Sequence, residues 1–399
     1  MAGSDATGVA IGFALYAQTH SARWLSMSLF ATIGTGAVLA PFAGRAADLL
    51  DRRRLMIGAE VVCAAIFITL AIVHTPVALL ALGILASAIG AVFGPASGAA
   101  IAHLAGDRDL AWANSVIATG SNVGKTAGRL GAGALIAAAG AASVFVVDAT
   151  TFLTSALLIA SVRLPFSAAR AARAKGADGA AAPVREPVAK DGGVRFMLSH
   201  PTLRMIVASA SISTFATSFT MTAEVPLVFD MGVGALGLGA LTACWGAGMV
   251  FGAWHGGRVL HRGNEATGVL VGRLAMASGV GLVAASPSLS PMLACYLLGG
   301  MGGGFMGVAA QSLVMRSAPD DMRARTIGAM ETCRNLAFGT GVLGAGVLVG
   351  LAGARPVYAA VGLVMAIGTL PVATLVMRLG GPRPLRAIEP EPEAAPATA

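Results

Sequence analysis

Charge is what this sequence has least of. Asp, Glu, Lys and Arg make up 12% of its 399 residues, against about 25% in ordinary soluble domains. Cysteine is scarce as well. Cys63, Cys244, Cys295 and Cys333 show no C-x-x-C spacing, which excludes a disulfide scaffold and a zinc knuckle; each lies in an apolar run and reads as a small buried side chain. The six histidines are scattered, so no metal site is expected. The chain has no H-E-x-x-H, no G-x-S-x-G and no P-loop. Those absences leave no nucleophile–base arrangement for an enzyme and no direct use of ATP, and no cofactor is expected. Aromatics amount to 6%, and no basic cluster is interleaved with them as a nucleic-acid groove requires.

What is abundant is apolar sequence: 56% hydrophobic residues, 53 glycines and a mean hydropathy of +0.78. One soluble core cannot absorb this much apolar surface, whereas a bilayer can. A span needs about 20 apolar residues, and twelve candidates fit: 3–20, 24–44, 55–74, 77–100, 111–138 and 143–163, then 202–226, 235–257, 266–286, 291–315, 325–351 and 356–378. The expected class is therefore an all-α membrane protein of twelve transmembrane helices. Its domains are an N-terminal six-helix bundle (1–163), a cytoplasmic linker (164–201), a C-terminal six-helix bundle (202–379) and a disordered, Pro-rich cytoplasmic tail (380–399). The first span is short, with Ala6 to Ala17 covering about 18 Å. Either Asp5 faces water or the native chain starts upstream, and the second is expected.

The net charge of +8 has a membrane explanation. Of the 27 Lys and Arg residues, 21 fall on the linker side of the spans, Arg23 and Arg355 fall on the other side, and four lie within spans. By the positive-inside rule both termini and the linker are cytoplasmic and the protein is multi-pass in the cell membrane. The first basic residue is Arg23, so the start of this sequence has no basic n-region of a signal peptide.

The halves are repeated. HLAGDRDLAWANSVIATGSNVGKTAGRLGAG (103–133) aligns without gaps on RSAPDDMRARTIGAMETCRNLAFGTGVLGAG (316–346), with ten of 31 positions identical. Matches include Asp107/Asp320, Asn122/Asn335 and Gly128/Gly341. The copies are six spans apart, an even number, so the repeat is parallel, with a pseudo-two-fold axis along the membrane normal. Two six-helix bundles around a central site is the layout of transporters that rock one bundle against the other.

The loop after the second span reads Gly44-Arg45-Ala46-Ala47-Asp48-Leu49-Leu50-Asp51-Arg52-Arg53-Arg54. It resembles the signature loop of the major facilitator superfamily, though Leu49 stands where that family often has Arg. Resemblance implies that the loop latches the two halves in the outward-facing state, with Asp48 toward a helix N-terminus and Asp51, Arg52, Arg53 and Arg54 pairing with acids or lipid phosphates; the alternative is a plain positive-inside anchor. DRRRLMI (51–57), Gly94-Pro95-Ala96, GDRDLAWANS (106–115), VRFMLSHPTLR (194–204) and APDDMRAR (318–325) resemble one branch of that superfamily, the enterobactin-type and macrolide-type exporters. The resemblance implies the major facilitator fold and export of a hydrophobic drug or siderophore in exchange for protons, as a monomer. Two features depart from the family: the fourth span lacks Arg-x-x-Gln-Gly, and Gly128 is followed by Arg129.

Ionisable residues inside spans are costly and mark function. Asp5, Glu60 and Asp148 are the proton-coupling candidates, since burial disfavours a charged carboxylate. Lys125 and Arg129, four apart on one helix face, could draw in an anion or pair with those acids. Glu331 and Arg334 are placed to neutralise each other. Together with Asn122 and Asn335 these form the substrate-cavity or ion-pair set. Arg273 is expected to snorkel from a cytoplasmic helix end. Glycine at four-residue spacing (Gly120, Gly124, Gly128) permits close helix packing, and Gly302 to Gly307, a formal G-x-G-x-x-G, lies inside a span with no preceding strand and reads as packing. The implied partners are the bilayer, a small-molecule substrate and protons. Uptake of a small anionic metabolite, and a non-transporting receptor or scaffold of this fold, are the alternatives.

Overall fold

The computed structural model describes residues 2–49, 51–73, 75–162, 192–261, 263–317, 320–379 and 381; the rest of the linker and of the tail lies outside them. Among the described residues the helices follow in order: α1 (Ala2–Thr19), α2 (Ala22–Leu49), α3 (Arg52–Ile72), α4 (Pro76–Ala139), α5 (Ala141–Ser161), α6 (Gly192–Ser199), α7 (Pro201–Asp230), α8 (Gly234–Val259), α9 (Glu265–Val283), α10 (Leu289–Ser317), α11 (Asp320–Ala352), α12 (Ala354–Ile367) and α13 (Leu370–Arg378). No strand occurs among the described residues. Nine helical stretches among them have the length and composition to cross a bilayer, with mean hydropathy of 1.2 to 2.4. They expose large apolar side chains such as Ile72, Leu157 and Leu351, which lipid tails solvate and water does not.

Local chemistry sets the helix ends. Asp51 caps α3, its carboxylate accepting from the Arg54 N–H at 3.0 Å. Thr75 caps α4 by accepting from the Ala78 N–H, with Pro76 in the first turn, where a missing N–H costs nothing. Between α4 and α5 stands Gly140 at φ +79°, a conformation that L side chains rarely adopt. The stretch expected as one span at 356–378 is divided into α12 and α13. Pro371 has no N–H to give the Ile367 carbonyl, and α12 ends at that residue.

The repeat holds helix by helix. Under the shift that carries residue 103 onto residue 316, the first residues of α3, α4 and α5 fall on the first residues of α9, α10 and α12, and the last residue of α4 falls on that of α11. Gly140 falls on Gly353, at φ +80°. The buried residues of α3 are Met56, Glu60, Cys63, Ala64, Ile66, Phe67 and Leu70. Every one has a buried mate in α9: Val269, Arg273, Met276, Ala277, Gly279, Val280 and Val283. The copies differ where α4 runs helical throughout, about 96 Å of helix and so two spans and their connection. Two separate spans, 77–100 and 111–138, were the expectation there. Its counterpart is two helices, α10 and α11, and the position opposite Gly106 is Pro319.

The chain gathers into two compact units: residues 1–189, 218–243 and 339–357, and residues 190–217, 244–338 and 358–399. In the first, α3 and α5 pack face to face, with Phe67 and Phe152 stacked at 5.3 Å. The same unit joins α1 to the end of α7 through Phe13, Tyr16 and Phe229; the Phe229 ring centroid lies 5.0 Å from each of the other two. In the second unit, backbones of α8, α9 and α10 meet through glycines. A Cβ on Gly304 would overlap the Met249 carbonyl, and one on Gly302 would stand 2.5 Å from the Gly272 carbonyl oxygen. The formal G-x-G-x-x-G is thus a helix-packing surface. Met197 of α6 enters the core of this unit with Leu203, Ile206, Val269 and Leu375, so the end of the expected linker is helical.

Candidate functional site

Among the described residues the buried charged groups are Glu60 and Asp148 in the first unit and Glu265 and Arg273 in the second. The first unit holds two carboxylates on the α3–α5 seam. Glu60, 6% exposed, accepts from the Ser155 hydroxyl at 3.0 Å. Asp148, 1% exposed, accepts from the Thr7 hydroxyl of α1 and from the Thr151 hydroxyl at 3.1 Å. Asp148, Thr151, Phe152 and Ser155 lie on one face of α5, spanning two turns and about 10.5 Å. The seam is therefore layered: Asp148 with two threonines, the Phe67–Phe152 stack, then Glu60 with Ser155. Among the described residues no cation forms an ion pair with either acid. The side chain of Asp5, the third proton candidate, lies outside the described residues.

The second unit holds one buried cation, Arg273, along with the buried Glu265 among the described residues. Arg273, expected to snorkel, does not. It is 3% exposed, with Nη1 donating to the Ser209 carbonyl at 2.7 Å and to the Ser213 hydroxyl of α7. The snorkelling expectation fails because the helix from Glu265 to Arg273 rises about 12 Å, beyond the reach of the side chain back to the helix end. Ser209 itself donates to the Gly368 carbonyl at 2.5 Å, which the break between α12 and α13 leaves open. Glu331 and Arg334 form the expected intrahelical ion pair, 2.8 Å across. Asn335 is exposed beside them, and Arg129 in the first unit is half-buried. The side chains of Lys125 and Asn122 lie outside the described residues.

The expected loop from Gly44 is shorter than the sequence suggested, since α2 runs through Gly44 and Asp48 to Leu49; the side chain of Asp48 lies outside the described residues. Asp51 serves as the α3 cap. Arg53 donates to the Ala160 carbonyl, one of the last four in α5 and hence without an intrahelical partner. Arg54 is exposed and Arg52 half-buried. In the second half the same shift brings Gly44-Arg45 onto Gly257-Arg258 and Asp51 onto Asn264. Asn264 is fully buried; it accepts from the His261 N–H at 2.8 Å and donates to the Val259 carbonyl at 3.0 Å, closing that loop from within.

Comparison with known proteins agrees with this architecture. Residues 1–341 and 268–399 match the family described as Major Facilitator Superfamily. An uncharacterized MFS-type transporter, YfiS, of Bacillus subtilis (strain 168) is 26% identical over 320 residues, spanning 78% of this chain and 74% of that protein. A bacterial homologue of the iron transporter ferroportin, solved in an inward-facing state, superposes with a TM-score of 0.72 at 12% identity, covering 94% of this chain and 95% of that one. A bacterial homologue of the human lysosomal transporter Spinster, inward-facing and unoccupied, gives 0.69 at 14% identity and covers 95% of both chains. With a family match that spans the whole sequence and an all-helical architecture repeated at a fixed offset, this chain belongs to the Major Facilitator Superfamily, a family of membrane transporters.

Proposed function

We propose that this protein is a secondary active exporter that moves a hydrophobic, drug- or siderophore-like molecule out of the cell in exchange for protons, by alternating access. The observation that carries the proton is the α3–α5 seam. Glu60 and Asp148 are buried, and among the described residues their side chains have hydroxyl partners and no cation. Proton occupancy there changes the charge of the first unit. Within that unit, contacts that seat the end of α7 and the start of α8 include apolar and backbone-to-backbone ones: Phe13 and Tyr16 on Phe229, and Gly133 on Gly239. Such contacts can part and re-form without stranding a polar group. Direction and cargo rest on the resemblance of the 51–57, 106–115 and 318–325 segments to siderophore and macrolide exporters. The same reading puts both termini and the linker in the cytoplasm, with the protein acting as a monomer in the cell membrane and the Gly44–Arg54 loop, through Asp48, latching one state.

The test is export by cells from a panel of drugs and siderophores, with and without a protonophore, for the native chain, Glu60→Gln and Asp148→Asn. Uphill export is expected to stop with the protonophore and in at least one of the two variants, while downhill exchange of substrate persists. Export that ignores the protonophore, or that survives in both variants, would overturn proton coupling through this seam.

A further inference from the structure

Among the described residues Arg273 is a buried cation without a counter-ion. A guanidinium stays charged in proteins, and holding an ion in a low-dielectric interior costs several kcal/mol unless a counter-ion and hydrogen bonds offset it. Here the hydrogen bonds come from neutral oxygens, the Ser209 carbonyl and the Ser213 hydroxyl. Nε is buried without a hydrogen-bond partner. No carboxylate lies within ion-pairing distance of Arg273 among the described residues. Among the described residues the charge that acts on it is repulsive, that of Arg334 on α11. Arg334 is the open member of this pair of cations, with 43% of its side chain exposed, and among the described residues it is held by Glu331 alone.

A structural tie between α7 and α9 needs no charge. Ser209 already ties α7 to Gly368 through its own hydroxyl, and a neutral amide could donate to Ser209 and Ser213 as well. A buried guanidinium with a spare N–H and only neutral partners is instead half of an anion site. Arg273, Arg334 and Ser213 lie on α9, α11 and α7 of the same compact unit.

We infer that Arg273, with Arg334 as the entry point, binds an anionic group of the transported molecule, a carboxylate, sulfonate or phosphate on an apolar body. The anion displaces Glu331 from Arg334, then satisfies the open N–H of Arg273, while Ser213 stays as a neutral hydrogen-bond partner. This rests on the chain being a transporter and not on proton exchange.

The test uses the purified full-length protein in detergent with no ion gradient. Benzoate, benzenesulfonate and phenyl phosphate are the anionic probes, with benzamide and benzylamine as neutral and cationic controls, and thermal unfolding is the readout. The three anions are expected to raise the unfolding temperature in a saturable way and the two controls to leave it unchanged. Arg273→Gln should weaken anion binding about 30-fold or more, and Arg273→Lys, a point charge without the planar fork, should retain part of it. Without any probe, Arg273→Met should unfold at a higher temperature than the native protein, because it removes the uncompensated charge. Three results would each overturn the inference: no stabilisation by any anion, equal stabilisation of native protein and Arg273→Gln, or a lower unfolding temperature for Arg273→Met. Binding that fails while export still collapses with the protonophore refutes the anion site alone; the reverse outcome refutes proton exchange alone.

Discussion

Replacing Gly304 by alanine places one methyl group where the fold has no room. On α10, a Cβ at residue 304 would overlap the Met249 carbonyl oxygen of α8 and stand 2.8 Å from the carbon that carries it and 2.9 Å from the Ala253 nitrogen. Ordinary van der Waals contact begins at 3.4 Å, and under 3.0 Å something must shift. What must shift here is backbone rather than a rotatable side chain. The seam is reciprocal. Cβ atoms on Gly252 and Gly248 of α8 would overlap the carbonyls of Met301 and Leu297, and one on Gly300 would overlap that of Trp245. The helices must part along their length, and a gap of about 0.5–1 Å forfeits a quarter to a half of each contact's attraction. Overpacking of this kind costs about 1–3 kcal/mol, and the overlap with a carbonyl oxygen puts Gly304→Ala at the upper end. The control is Gly307→Ala, one helical turn on in α10, where nothing lies within 4 Å of the added carbon. There only the helix-propensity gain of up to about 1 kcal/mol applies. Thermal unfolding of both variants in one detergent, followed by circular dichroism, is expected to place Gly304→Ala below the native protein and Gly307→Ala at or above it. Gly304→Ala melting together with Gly307→Ala would refute the backbone-contact reading of the seam.

Two other perturbations test the fold. Gly140→Ala and Gly353→Ala, both forced into positive φ, should each cost about 1–2 kcal/mol and by similar amounts, measured as paired unfolding curves; a loss at one site only would break the equivalence of the repeat at these turns. Asp51→Ala should cost about 0.5–2 kcal/mol through loss of the α3 cap, whereas Asp51→Asn, an equally good cap, should unfold with the native protein. If Asp51→Asn keeps its stability and loses transport, the charge of the loop matters beyond the cap.

Much of the fold was legible because the bilayer makes its demand in sequence: about 20 apolar residues per span, and basic residues on one side. The repeat, seen first between 103–133 and 316–346, extends to helix starts and to the buried face of α3. The break before Pro371 was legible in principle from the proline, but a continuous apolar run concealed it. Arg273 shows what a linear reading misses. Its distance from the nearest basic loop suggested a snorkelling end, yet the repeat places it opposite Glu60, a position already marked as functional. The hydroxyl partners were not legible at all. Thr69 and Thr217 spend their hydroxyls on carbonyls one turn back in their own helices, as Ser and Thr in helices commonly do. Thr7, Ser155 and Ser213 look the same in sequence and instead serve Asp148, Glu60 and Arg273. Only the packing of helices distant in sequence decides which hydroxyls are recruited.

The opposite signs of Glu60 and Arg273 at one position of the repeat have an electrical consequence. A transmembrane voltage exchanges about 2.3 kcal/mol per 100 mV with each elementary charge carried through the full field, and it drives a carboxylate and a guanidinium in opposite directions. With Glu60 ionised, the two terms oppose each other. Protonation of Glu60 would remove its term, and an anion bound as inferred above would cancel that of Arg273. Under the proposed cycle, the inverted pair would make voltage sensitivity depend on what is bound.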